Sequence, residues 1–114
     1  MAKYLINICY GDLANRKNSS HPSDDQFIMG KYMEWSKKMA DRIIVTHKLK
    51  DGEGRRLEMK EAQVKDGPYT ETKESVGGFY LIEAKNYQEA CELAKECPTL
   101  LYQGGYVEVR EVEF

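Results

Sequence analysis

Residues 65–84, KDGPYTETKESVGGFYLIEA, run from a Gly-Pro turn through a crowd of charged and hydroxyl side chains into an apolar strand. The end of the stretch decides the fold. FYLIEA is apolar on both faces, which is the signature of an interior strand hydrogen-bonded on both sides. Its beginning has two readings. The Asp66 carboxylate can accept backbone N–H bonds inside its own turn while Pro68 presets the backbone, so the polar groups can simply satisfy one another. A connection of about a dozen residues without periodicity is long for a compact domain, however, and such connections are often functional.

Working back towards the N-terminus, KYLINICY alternates Tyr4, Ile6, Ile8 and Tyr10 against Leu5, Asn7 and Cys9 and reads as a first strand. GDLANRKNSSHP is a loop, His21 within it lies in solvent, and Ser23 with Gln26 offers a capping box for the helix that follows. Ile28, Tyr32, Trp35 and Met39 then fall on one helical face, which predicts an amphipathic helix over 24–41 packed on a sheet. RIIVTHKLK is a second strand, with Ile43, Val45, His47 and Leu49 on one face. DGEG turns the chain, and residues 55–65 form an exposed ribbon.

Towards the C-terminus, Asn86 and Glu89 make a second capping box. Ala90, Leu93, Ala94 and Cys97 form a narrow stripe that can lie close to a sheet, Pro98 stops the helix, and LLYQGG connects it onward. YVEVREVEF closes the chain as a strand, with Val107 and Val109 opposite Tyr106, Glu108 and Arg110. The order strand, helix, strand, ribbon, strand, helix, strand gives an α+β fold. With right-handed crossovers it is a ferredoxin-like βαββαβ sandwich with an extra β-ribbon, one domain over 1–114. Both helices then cover one sheet face, and each apolar side chain left wet on the other forgoes roughly 1.5–3 kcal/mol. A second copy of the chain is the simplest cover.

Composition narrows the function. Of 114 residues, 32% are charged, and the formal net charge is -2, a mixed balance that speaks against a phosphate-backbone binder and so against nucleic acid. No run is long enough to span a bilayer, and the first residues turn polar too soon for a signal peptide, so a cytoplasmic protein without membrane attachment is expected. Cys9, Cys91 and Cys97 lack metal-ligand spacing and read as small buried thiols.

Asp66, Gly67, Pro68, Glu71, Thr72, Lys73, Gly77 and Gly78, with VEVRE near the end, make the chain resemble the YCII-related proteins, specifically their DGPF subgroup. KYLINICYGD and NYQEACELAKECP are similar to the family as well. Tyr69 stands where the subgroup has phenylalanine, Thr70 where alanine is usual, and residues 42–56 match poorly. The resemblance implies a dimeric α/β barrel, two four-stranded sheets packed face to face. It implies no substrate, although related proteins have been thought to use a His-Asp pair for acid-base chemistry.

Few side chains can carry chemistry. Glu71 and Lys73 flank Thr72 and point the same way on an extended segment, so they can pair or present one charge of each sign to a ligand. Gly77-Gly78 lacks the Lys and helix start of a phosphate loop and reads as a bend entering the strand. His47 is the natural proton carrier at neutral pH. On the face shared with Ile43, Val45 and Leu49 it packs in the core. Facing a chamber between sheets, it could be oriented by Asp66. Tyr10 and Arg110 either line a pocket or cap sheet edges.

Two functions fit. One is a cofactor-free, metal-free homodimer binding a small polar or anionic organic molecule under the DGPYTETK loop, through Tyr10, Tyr69, Glu71, Lys73 and Arg110. His47 and Asp66 would then catalyse an isomerisation or elimination. The other is a non-catalytic binding or interaction module.

Overall fold

The computed structural model describes residues 1–10, 25–50, 54–57, 64–67, 75–101 and 104–114. The alternating N-terminal run forms strand β1 (Ala2–Tyr10), burying Tyr4, Ile6, Ile8 and Tyr10 along one face as a pleated strand requires. Helix α1 (Asp25–Lys38) follows, and its stripe turns inward, with Trp35 and Met39 buried and Ile28 and Tyr32 half-buried. The remaining elements are β2 (Ile43–Lys48), β3 (Gly54–Leu57), β4 (Val64–Gly67), β5 (Ser75–Ala84), helix α2 (Tyr87–Ala94), a 3-10 turn (Pro98–Leu101) and β6 (Gly105–Glu111).

The main sheet has the order β2-β5-β1-β6 with every neighbouring pair antiparallel, and β3 and β4 pair apart from it as a two-stranded ribbon. This is the ferredoxin-like α+β sandwich with its extra ribbon, as the element order predicts. β5 holds the interior position that FYLIEA demands, between β2 and β1. The ribbon differs in one respect. Its second strand runs through Asp66 and Gly67, with Arg55 opposite Asp66, so the first half of the Gly-Pro turn belongs to the ribbon.

Both helices pack on the same sheet face. Trp35, Met39, Ala90, Ala94 and Cys97 meet Tyr4, Ile6, Ile8, Tyr10, Tyr80, Ile82 and Ala84 in one core, against which Val107 and Val109 of β6 also pack. Polar bonds set the helices in place. The Trp35 indole N–H donates to the Leu93 carbonyl at 2.9 Å, tying α1 to α2, and the Ser36 and Tyr80 hydroxyls bond at 2.6 Å across the helix–sheet junction.

Asn86 caps α2 by accepting the Glu89 N–H at 2.9 Å. Glu89 does not complete the predicted box on Asn86. Its carboxylate accepts from the Lys85 N–H at 3.0 Å and from Arg42 at 2.5 Å, so it clips the start of β2 to the start of α2. The helix ends at Ala94, before Pro98, which instead opens the 3-10 turn. All three cysteines are free thiols, but Cys91 is exposed, a correction to the expectation that each is buried. It follows Ala90 on α2, one residue off the inward stripe. The Ser23–Gln26 capping box and His21 lie outside the described residues.

Ile82 is fully buried in this core, so Ile82→Ala is expected to cost about 2–5 kcal/mol by denaturant unfolding, because the tight packing around the site cannot collapse completely into the void. The Arg42 guanidinium, helped by the Lys85 N–H, holds the Glu89 carboxyl below the ordinary carboxylate value. A depressed folded-state value stabilises the fold above the unfolded value and stops doing so as pH falls through the depressed one. Glu89→Gln should therefore lower the unfolding midpoint at about pH 7 and lose that effect as pH falls through the depressed Glu89 value, read by parallel denaturation curves.

Candidate functional site

A strand presents alternate residues to opposite faces, so adding one residue flips everything beyond it. β2 contains such an addition. Ile43 sits opposite Ile82, and the next registered pair is Val45 opposite Leu81, with a bulge between. Ile43 therefore joins the core, whereas Val45 and His47 stand with Leu81 and Phe79 on the face turned away from the helices. This corrects the expectation that Ile43, Val45 and His47 share a face. His47 is exposed, and its ring lies 5.9 Å from that of Phe79, tilted by 58°.

The pairings of β1 extend this second face across the sheet. Leu5 lies between Leu81 and Arg110, Asn7 between Phe79 and Glu108, and Cys9 opposite Tyr106. Two rows result: Val45–Leu81–Leu5–Arg110, and His47–Phe79–Asn7–Glu108. Val45, Leu81, Leu5, Phe79 and Asn7 are half-buried, and His47, Glu108 and Arg110 are exposed. The face is thus an apolar band with an imidazole at one edge and two opposite charges at the other.

A second irregularity shapes its end. β1 pairs Ile8 with Gly78 but Cys9 with Val76, which leaves Gly77 as the extra residue of β5. A Cβ on Gly77 would run into the Tyr10 ring, and one on Gly78 would come within 2.9 Å of the His47 carbonyl oxygen. The Gly-Gly step is a bend, as predicted, and it also lets β5 approach Tyr10 and the backbone of β2 at His47.

The candidate residues are distributed as follows. His47 and Arg110 share the open face. Tyr10, 8% exposed, points to the helix side and does not converge with Arg110. Asp66 belongs to the ribbon, and its side chain lies outside the described residues, as do Tyr69, Glu71 and Lys73. Sequence reasoning did not single out Phe79, Asn7 or Glu108. The faces of Asn7 and Glu108 were readable from the alternation of β1 and β6, but that of Phe79, on an apolar strand, and the alignment of all three into one row require the register.

On the helix side, Cys97 is 2% exposed, its Sγ is 4.0 Å from the Tyr32 hydroxyl, and burial pushes its thiol up to about 11. It stays protonated at neutral pH and is no nucleophile. Burial first, then Cys97 and Tyr10, also raises Tyr32 above the ordinary phenol value. On the other face, the ring nitrogens of His47 and the side-chain amide of Asn7 can each donate and accept hydrogen bonds.

Comparison with known proteins gives three findings. The model of the YCII-related domain matches residues 13–114. An uncharacterised protein of Rhizobium meliloti (strain 1021), R00369, is 42% identical over 50 residues, which make up 44% of this chain and 40% of that protein. The matched stretch thus spans well under two thirds of that relative. A solved structure, the 5-chloro-2-hydroxyhydroquinone dehydrochlorinase of Burkholderia phenoliruptrix AC1100 in complex with 2,5-dihydroxybenzoquinone, aligns with a TM-score of 0.40 at 20% identity, covering 93% of this chain and 90% of that one.

Because Gly77 abuts the Tyr10 ring, Gly77→Ala is expected to destabilise the fold by about 1–3 kcal/mol through overpacking, measured by chemical denaturation. Gly77→Ala combined with Tyr10→Leu should recover part of that loss.

Proposed function

The chain belongs to the YCII-related family, and we propose that it is a small-molecule-binding domain whose open sheet face is closed by a second copy, leaving a pocket in which His47 exchanges a proton. One observation carries the reading. The band of Val45, Leu81, Leu5 and Phe79 has His47 at its edge and, among the described residues, no helix over it. A band of this kind gains stability when covered, and a two-fold pairing of identical faces is the commonest way for a small chain to cover it.

In this reading the segment from Asp66 through Tyr69, Glu71 and Lys73 forms the rim of the pocket. Asp66 orients His47 by accepting a hydrogen bond from one ring nitrogen, and the other nitrogen takes a proton from a carbon acid. Lys73 faces the negative charge that develops as the C–H electron pair moves into the substrate. Return of the proton at a different carbon completes an isomerisation, and departure of a leaving group completes an elimination. Neither reaction requires a redox partner.

A second reading, a non-catalytic interaction module, is favoured by a different surface. Met29 and Met33, one turn apart on α1, are 63% and 67% exposed, an adaptable apolar surface of the kind used for protein contacts.

Analytical ultracentrifugation separates the pairing from its absence. The chain is expected to sediment as a dimer at micromolar concentration, and Leu5→Glu is expected to convert it to a folded monomer because a buried unpaired charge opposes closure. A wild-type monomer would contradict the pocket. For the proton chemistry, the His47 imidazole NMR resonances are expected to shift with Asp66→Asn. No change in them would leave the binding-module reading.

A further inference from the structure

The two ends of the open face differ in a way that specifies a ligand class. Glu108 and Arg110 stand two residues apart on β6, point to the same face and are both exposed. Residues so spaced along a strand are about 7 Å apart, and their long side chains can converge on a single small group. An acid and a base held side by side in this way complement a headgroup that carries an ammonium and a carboxylate on adjacent atoms. A simple organic acid would meet attraction from Arg110 and repulsion from Glu108.

The middle of the face sets the rest of the molecule. From β6 to β2 the row crosses three inter-strand spacings, about 14 Å between the backbones of Glu108 and His47. Side chains as long as those of Arg110 and Glu108 can reach inward along the row, which would leave a span of about one substituted six-membered ring. The floor beneath it is Phe79, whose ring offers an edge or a face to a second ring. Leu81 and Leu5 flank it on the apolar side, and Asn7 offers the only amide of the row. At the far end, His47 can accept the proton of a hydroxyl.

We infer that the His47–Phe79–Asn7–Glu108 row with Arg110 is a binding strip for an aromatic amino acid or a similar ring-bearing zwitterion. The ammonium pairs with Glu108 and the carboxylate with Arg110, the ring lies over Phe79, and a ring hydroxyl points to His47. The inference rests on the reading of this face as a pocket, and narrows it. Glu108 becomes the residue that selects against plain carboxylic acids.

The full chain can be titrated with L-tyrosine, tyramine, 3-(4-hydroxyphenyl)propionate and L-alanine while the Asn7 amide, Phe79 ring and His47 ring resonances are followed by NMR. L-Tyrosine is expected to shift all three saturably, and each analogue, lacking one charge or the ring, to bind about tenfold more weakly or worse. Glu108→Gln should erase the advantage of tyrosine over the propionate, and Arg110→Gln its advantage over tyramine. Both positions are exposed, so the fold should tolerate either change, which the amide spectrum checks. If the propionate binds at these residues as tightly as tyrosine, the zwitterion inference is overturned while the pocket stands. If no compound moves any of the three resonances while the chain sediments as a dimer, the zwitterion inference is overturned and the pocket stands; if the chain is also a monomer, both are overturned.

Discussion

The site depends on a single constraint: the register of β5 against its two neighbours. β5 is hydrogen-bonded on both edges, and each pairing contains one irregularity, at Ile43/Val45 in β2 and at Gly77 in its own chain. Because the side-chain period of a strand is two, the first of these flips β2 beyond Ile43 to the open face. Without it, His47 would lie under the helices, where a polar ring would displace apolar packing and require a hydrogen-bond partner. With it, the helix side keeps a dry core and the opposite side acquires an imidazole.

The two faces consequently have different chemistry. The helix side is held by buried side chains and by bonds between elements, from Trp35 to Leu93, Ser36 to Tyr80, and Arg42 to Glu89. Two of its titratable groups, Cys97 and Tyr32, are held in their protonated forms by burial. The other side sets His47, Glu108 and Arg110 at the margins of an apolar band with the Asn7 amide inside it, an arrangement typical of ligand sites, where apolar surface supplies affinity and a few polar groups fix orientation. Membership of the YCII-related family is consistent with such a face but names no ligand for it.

Much of the fold was legible because local signals agree with the final packing. The alternation of β1, the Trp35–Met39 stripe, the Asn86 cap and the Val107/Val109 pair each appear where the residue pattern puts them. The face of His47 was not legible. In RIIVT the apolar residues Ile43, Ile44 and Val45 occupy both parities, so a bulge leaves no trace in the alternation. The outward turn of Cys91 was missed because a thiol is assigned to the interior by its type, whereas its neighbour Ala90 already fills the inward position. The row that joins Phe79, Asn7 and Glu108 comes from pairing between distant strands, which no local pattern encodes.

The claim on which the function turns is that the Phe79 face is closed when the protein is at work. The chain has three phenylalanines, of which Phe27 is 41% and Phe114 fully exposed on helix and tail. Incorporating fluorophenylalanine therefore yields three fluorine signals, and a soluble gadolinium chelate broadens each according to its access to solvent. A closed face requires the Phe79 signal to stay sharp at micromolar protein while those of Phe27 and Phe114 broaden. Broadening of Phe79 to the same extent as Phe27 would contradict it.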